Sequence, residues 1–144
     1  MKILFSGILV SLVAAGLCLG QTDSSAEKAI LDILDLQKTA WNEGNIEEFM
    51  SYYKKSETIT FQSGNSRIHG WDRVLARYQR NYAPQNMGRL DFTDLSVCLL
   101  SEDSAYVLGR FKLEQEGSLR EGLFTLIFKR QKEGWRIVHD HTSS

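Results

Sequence analysis

Three consecutive residues near the end of the chain carry groups able to move a proton: His139, Asp140 and His141. They close the run Gly134-Trp135-Arg136-Ile137-Val138-His139-Asp140-His141-Thr142-Ser143, which reads as one amphipathic strand. Strict alternation points Trp135, Ile137, His139 and His141 to one face and Arg136, Val138, Asp140 and Thr142 to the other. Aromatic and aliphatic residues behind two imidazoles can deliver them to the edge of an apolar cavity. An imidazole titrating near neutrality can act there as general acid or base, so His139 and His141 are the candidate catalytic residues. His-Asp-His also invites a metal reading, but a zinc site needs at least a third ligand. His69 is the only other histidine and, once the N-terminal segment is removed, Cys98 the only thiol, and no metal is expected on so thin a ligand set. The structural alternative is that the pair hydrogen-bonds at the sheet end and packs against Trp41 or Trp71.

Arg110 lies mid-strand between Gly109 and Phe111. An arginine inside a sheet needs a partner or solvent. One reading is a bidentate contact to a ligand carboxylate; the other is an ion pair with Glu121 or Glu114 on a neighbouring strand. Trp41, Tyr53 and Trp71 are candidate pocket walls, or plain core. Cys98, in Val97-Cys98-Leu99-Leu100, is expected to be an inert buried thiol. No phosphate loop, dinucleotide fingerprint or serine nucleophile elbow occurs, so no cofactor is expected.

These residues need elements to position them. Ser24-Ser25-Ala26-Glu27 fits a capping box, and Ala26, Ile30, Ile33, Leu34 and Trp41 form a helical stripe. Asn42-Glu43-Gly44-Asn45 breaks it, and Asn45 can cap a short helix from Ile46 to Tyr53. Glu57 to Gln62 reads as a strand, Ser63 to Ser66 as a turn and Arg67 to Gly70 as a short return strand. Trp71, Val74, Leu75 and Tyr78 place a third helix over Trp71 to Asn81. Four β-rich runs follow: Arg89 to Leu100, Ala105 to Gln115, Leu119 to Arg130 and Trp135 to Thr142, joined by short loops that suit antiparallel neighbours. Helices first and a meander behind predict an α+β domain with helices on one face of a curved sheet.

The N-terminus predicts a compartment. Lys2, an apolar run from Ile3 to Leu19, and Cys18-Leu19-Gly20 fit a signal peptide over residues 1–20, cleaved after Gly20. An uncleaved anchor and a lipoprotein acylated at Cys18 are the rivals. Residues 21–25 form a short polar lead, and 26–143 a single domain. The expected protein is secreted or periplasmic, with no membrane association after signal removal. Its 124 residues carry 16 basic and 18 acidic side chains, a formal charge of −2. That balance, with no basic stripe, argues against nucleic acid. One remaining cysteine cannot staple the domain internally, so stability must come from a single hydrophobic core.

The element order and several local runs resemble the SnoaL-like domains of the nuclear transport factor 2-like superfamily. The runs are Ala40-Trp41-Asn42-Glu43-Gly44-Asn45, Ile68-His69-Gly70-Trp71, Val107-Leu108-Gly109-Arg110, Gly122-Leu123-Phe124-Thr125 and the final strand. The resemblance implies a cone: a curved, mostly antiparallel sheet wrapped around the N-terminal helices, with a pocket at the open end. It also implies a homodimer paired through the outer sheet face. Ketosteroid isomerase, in the same superfamily, works with a carboxylate base and an oxyanion hole of Tyr and protonated Asp; the early strand here offers only Glu57 as a base.

Three functions are open. The first is binding of a small apolar or carboxylate- or carbonyl-bearing molecule, which predicts a preformed cavity of roughly 300 Å³ or more. The second is isomerase, cyclase or dehydratase chemistry without metal, with His139 or His141 as proton shuttle and Arg110 or a tyrosine steadying the oxyanion. That reading needs the imidazoles inside the pocket. The third is a non-catalytic dimerisation module.

Overall fold

The computed structural model describes residues 24–144; the expected signal segment lies outside them. Helix α1 (Ser24–Asn42) buries Ala26, Ile30, Leu34, Gln37 and Trp41, spaced four, four, three and four apart, the single stripe that faces a core in a helix of 3.6 residues per turn. Gly44 adopts φ 76° to turn the chain. Asn45 then caps α2 (Ile46–Ser51), its side chain accepting from the Glu48 amide at 3.0 Å. α2 stops at Ser51, two residues short of the predicted Tyr53. After β1 (Thr60–Ser63) and β2 (Ser66–His69), Gly70 at φ 92° leads into α3 (Trp71–Asn81). A 3₁₀ turn over Pro84–Asn86, which the sequence pattern did not suggest, leads to the long strands β3 (Arg89–Ser101), β4 (Ser104–Gln115), β5 (Ser118–Gln131) and β6 (Gly134–Ser143).

The six strands form one sheet in the order β2-β1-β6-β5-β4-β3. Every pairing is antiparallel except β1 with β6, which runs parallel. This is the α+β architecture expected, helices packed in the concavity of a curved, mostly antiparallel sheet. The Asn42 carboxamide docks the two layers: it donates to the Leu90 carbonyl at 3.0 Å and accepts from the Leu90 amide at 2.8 Å. Trp41 Nε1 adds a bond to the Met87 carbonyl at 3.2 Å.

Register shifts interrupt the long strands, two between β3 and β4 and one between β5 and β6. In β3 the register shifts between Thr93 and Ser96, and Asp94 takes φ 53°, a left-handed conformation that Asp tolerates better than most residues. In β6, Ile127 pairs with His139 but Phe128 pairs with Ile137. Val138 is therefore the extra residue, and side-chain alternation changes phase across it. Cys98 is buried on β3.

Candidate functional site

The concavity holds a cavity of about 180 Å³. Its buried floor includes Gln37, Trp41, Phe49, Tyr53, Leu126 and Asp140, while the exposed Asn81 and Arg120 mark its mouth. The volume is smaller than the roughly 300 Å³ expected for a typical ligand pocket. An apolar cavity of about 150 Å³ accommodates benzene, so this one suits a single substituted ring rather than a polycyclic skeleton.

Asp140 is the chemically distinctive group on the floor. It is 5 % exposed. The Tyr53 hydroxyl donates to its Oδ2 at 2.6 Å and the Thr142 hydroxyl to its Oδ1 at 3.0 Å. Burial pushes its carboxyl up to about 6, against the opposing pull of these two bonds and of His141, because a carboxylate loses its hydration in the interior. Burial raises the Tyr53 and Tyr78 hydroxyls as well, with the Asp140 charge adding to both, so both remain proton donors at neutral pH.

The bulge at Val138 decides which groups reach this floor. Beyond it, Asp140 pairs with Leu126 and Phe61, and Thr142 with Phe124; all of these line the cavity. His139 pairs with Thr60 and Ile127, and His141 with Gln62 and Thr125; none of these lines it. His139 and His141 thus stand on the outer face, opposite to Trp135 and Ile137, which corrects the uniform alternation expected of β6. There the Thr60 hydroxyl meets His139 Nδ1 at 2.5 Å. Partial burial, with smaller contributions from His141 and Arg67, lowers the His139 imidazole from its ordinary range. His141 is exposed and lies 3.5 Å from Gln62 Nε2.

Trp41 and Tyr53 line the cavity; Arg110 and Trp71 do not. On β4 the inward residues are Val107, Gly109, Phe111 and Leu113, so Arg110 shares the outer face with Leu108, Lys112 and Glu114. Its Nε lies 3.5 Å from Asp94, in place of the expected pair with Glu121 or Glu114. Trp71 instead joins α3 to α2, its Nε1 donating to the Met50 carbonyl at 2.9 Å. Gly109 is where the wall requires no side chain: a Cβ there would come within 2.2 Å of Phe124 Cζ, so the aromatic ring lies across the strand. Asp140, Tyr78, Arg77 and Arg120 are among the lining residues that the sequence did not mark as candidate site residues. Arg120 had a readable signal, since it shares strand parity with the inward Phe124, Leu126 and Phe128. Among the described residues, no group of three or more His, Cys, Asp or Glu is arranged to hold a metal ion.

Residues 30–144 match the SnoaL-like domain family. This chain is a SnoaL-like protein. It is similar to an NTF2-like protein of unknown function from Shewanella oneidensis MR-1, at 32 % identity and TM-score 0.79, over 82 % of this chain and 98 % of that one. A domain of unknown function with a cystatin-like fold from Nostoc punctiforme shares 23 % identity, TM-score 0.71, over 85 % and 78 % of the two chains. An NTF2-like superfamily protein from Salmonella enterica shares 14 % identity, TM-score 0.68, over 84 % and 92 %. At such identities the last two show the fold alone. No curated protein matches the SnoaL-like chain. The cone expected from the sequence resemblance is the fold these relatives share; a fold that hosts many chemistries leaves the function to be argued from the site.

Proposed function

We propose that this SnoaL-like protein binds a small molecule with an apolar body and a carbonyl or hydroxyl oxygen, held in the cone cavity. The observation that carries the reading is Asp140: a buried carboxyl, raised to about 6, hydrogen-bonded by Tyr53 at the floor of an aromatic cavity. A protonated Asp140 donates to a ligand oxygen and an ionised one accepts from a ligand hydroxyl, while Trp41, Phe49 and Phe124 cover the apolar body. Trp41 in the wall supplies an optical signal. Titrating single-ring phenols and cyclic ketones against tryptophan fluorescence, in wild type and Asp140→Asn, tests it. Saturable quenching that weakens at least about tenfold in the variant is the expected result; no quenching by any of them, or equal affinity in the variant, would sink the reading.

One observation also favours an enzyme of the isomerase, cyclase or dehydratase type. A carboxyl raised to about 6 is suited to proton transfer near neutral pH, and the Tyr53 and Tyr78 hydroxyls could steady a developing oxyanion. In this reading Asp140, not a histidine, carries the proton. Loss of deuterium from the α-carbon of a labelled cyclic ketone, abolished in Asp140→Asn, is the measurement; exchange no faster than in buffer rules it out.

We further propose a secreted or periplasmic homodimer. The N-terminal apolar segment with Lys2 and Gly20 supports export, and a mature terminus at Gln21 tests it. The exposed Leu108 and Leu123 on the outer sheet face, 45 % and 55 % accessible, support pairing with a second copy. Sedimentation at micromolar concentration reads the dimer directly; a monomer there removes it.

A further inference from the structure

The mouth of the cavity is electrically unlike its floor. Arg77 from α3 and Arg120 from β5 both line it. Their guanidinium carbons lie 5.5 Å from the Phe61 ring centroid and 5.7 Å from that of Tyr82, so aromatic faces support both. Arg120 also reaches across the mouth to donate to the Tyr82 hydroxyl at 2.6 Å. Neither arginine forms an ion pair among the described residues. Asp140 is the only acidic side chain lining the cavity among them, and the groups that shift its carboxyl are Tyr53, Thr142 and His141, with no arginine. The cavity thus presents a buried acid with the Tyr53 hydroxyl in its floor and two arginines at its entrance, near Tyr78 and Tyr82, that make no ion pair among the described residues; Ser144 lines it as well.

We propose that the ligand is a single-ring molecule of two polar ends, its carboxylate gripped at the mouth by Arg77 and Arg120 and its opposite hydroxyl or carbonyl oxygen directed at Tyr53 and Asp140. This rests on the small-molecule reading above and names its chemical class. Guanidinium groups match a carboxylate in planar, charge-assisted hydrogen bonds. A compact ring fills a cavity of about 180 Å³ without the crowding that a fused skeleton would bring. Such a molecule also leaves Asp140 unopposed, because its negative charge stays at the far end.

The test is calorimetric titration of the purified protein at pH 7 with 4-hydroxybenzoate and with its neutral isostere 4-hydroxybenzamide. The acid is expected to bind at least about tenfold tighter than the amide. Arg77→Met with Arg120→Met should erase that preference, bringing the acid to the affinity of the amide, and Arg77→Lys should retain most of it. Equal affinities in the wild type, or a preference that survives the double substitution, would overturn the carboxylate assignment and leave the cavity reading standing. No binding of either compound at millimolar concentration would overturn both.

Discussion

Opposite faces of the sheet carry the two polar clusters of β6 within one residue of each other. On the inner face, Asp140 and Tyr53 are both almost fully buried and joined by a 2.6 Å hydrogen bond. On the outer face, His139 and Thr60 are half-buried and joined by one of 2.5 Å. Both bonds are short, but their surroundings differ. Water can still solvate the outer pair if its bond breaks, whereas the inner pair has no such substitute. Hydrogen-bond length alone therefore does not distinguish the two clusters; burial beside a cavity does.

The largest effect that separates the faces is a pH dependence. The Asp140 carboxyl rises from an ordinary 3.8 to about 6 on folding, so the folded chain holds that proton more tightly than the unfolded one. Its contribution to stability is fully present below about pH 4 and is lost as pH rises through 6, a change of about 3 kcal/mol. His139 acts in the opposite sense, because its lowered imidazole costs stability as pH falls. Comparing wild type with Asp140→Asn cancels the histidine: the urea midpoint at pH 4.0, relative to that at pH 7.5, should fall in the variant. An unchanged pH difference would place Asp140 in water.

Next in size is the wall opposite. Gly109→Ala sets a methyl 2.2 Å from Phe124 Cζ and should cost about 2 kcal/mol, with Phe124 displaced toward the cavity and ligand affinity reduced. A neutral stability measurement would mean that the ring yields freely. Tyr53→Phe should cost about 1 kcal/mol and raise the Asp140 carboxyl further, since the lost bond favoured the ionised form. Carbon-detected titration of that carboxyl reads the direction, and a fall would contradict the hydrogen-bond assignment. The smallest effect belongs to the outer face. His139→Ala and His141→Ala should each change stability by less than about 1 kcal/mol and cavity-ligand affinity by less than twofold. A tenfold affinity loss in either variant would return the imidazoles to the site.

Much of the scaffold was legible because local chemistry dictates it. The third helix spans Trp71–Asn81 as its apolar spacing predicts, and the four long strands begin and end within a residue of their alternating runs, bounded by polar turn residues. The parallel pairing of β1 with β6 was not legible, since it joins segments far apart in sequence. The site was read less well for one physical reason. Val138 is a β-branched residue that suits any strand, so nothing in its type announces a bulge; the phase change exists only in its pairing with β5. Arg110 is different. Its parity with Lys112 and Glu114 already marked the outer face, but the apolar Leu108 in the same row obscured it. The tyrosines at 53 and 78 lie on different elements, and only folding brings them to Asp140.

The extra residue at 138 is separable from the acid of this cone. With Val138 deleted, Ile137, His139, Asp140 and His141 would alternate without interruption, Asp140 still facing the cavity and both imidazoles still outside. Deletion would remove only the extra bend and twist that a bulge gives its strand, so this position carries the shape of the wall and leaves its chemistry where it is.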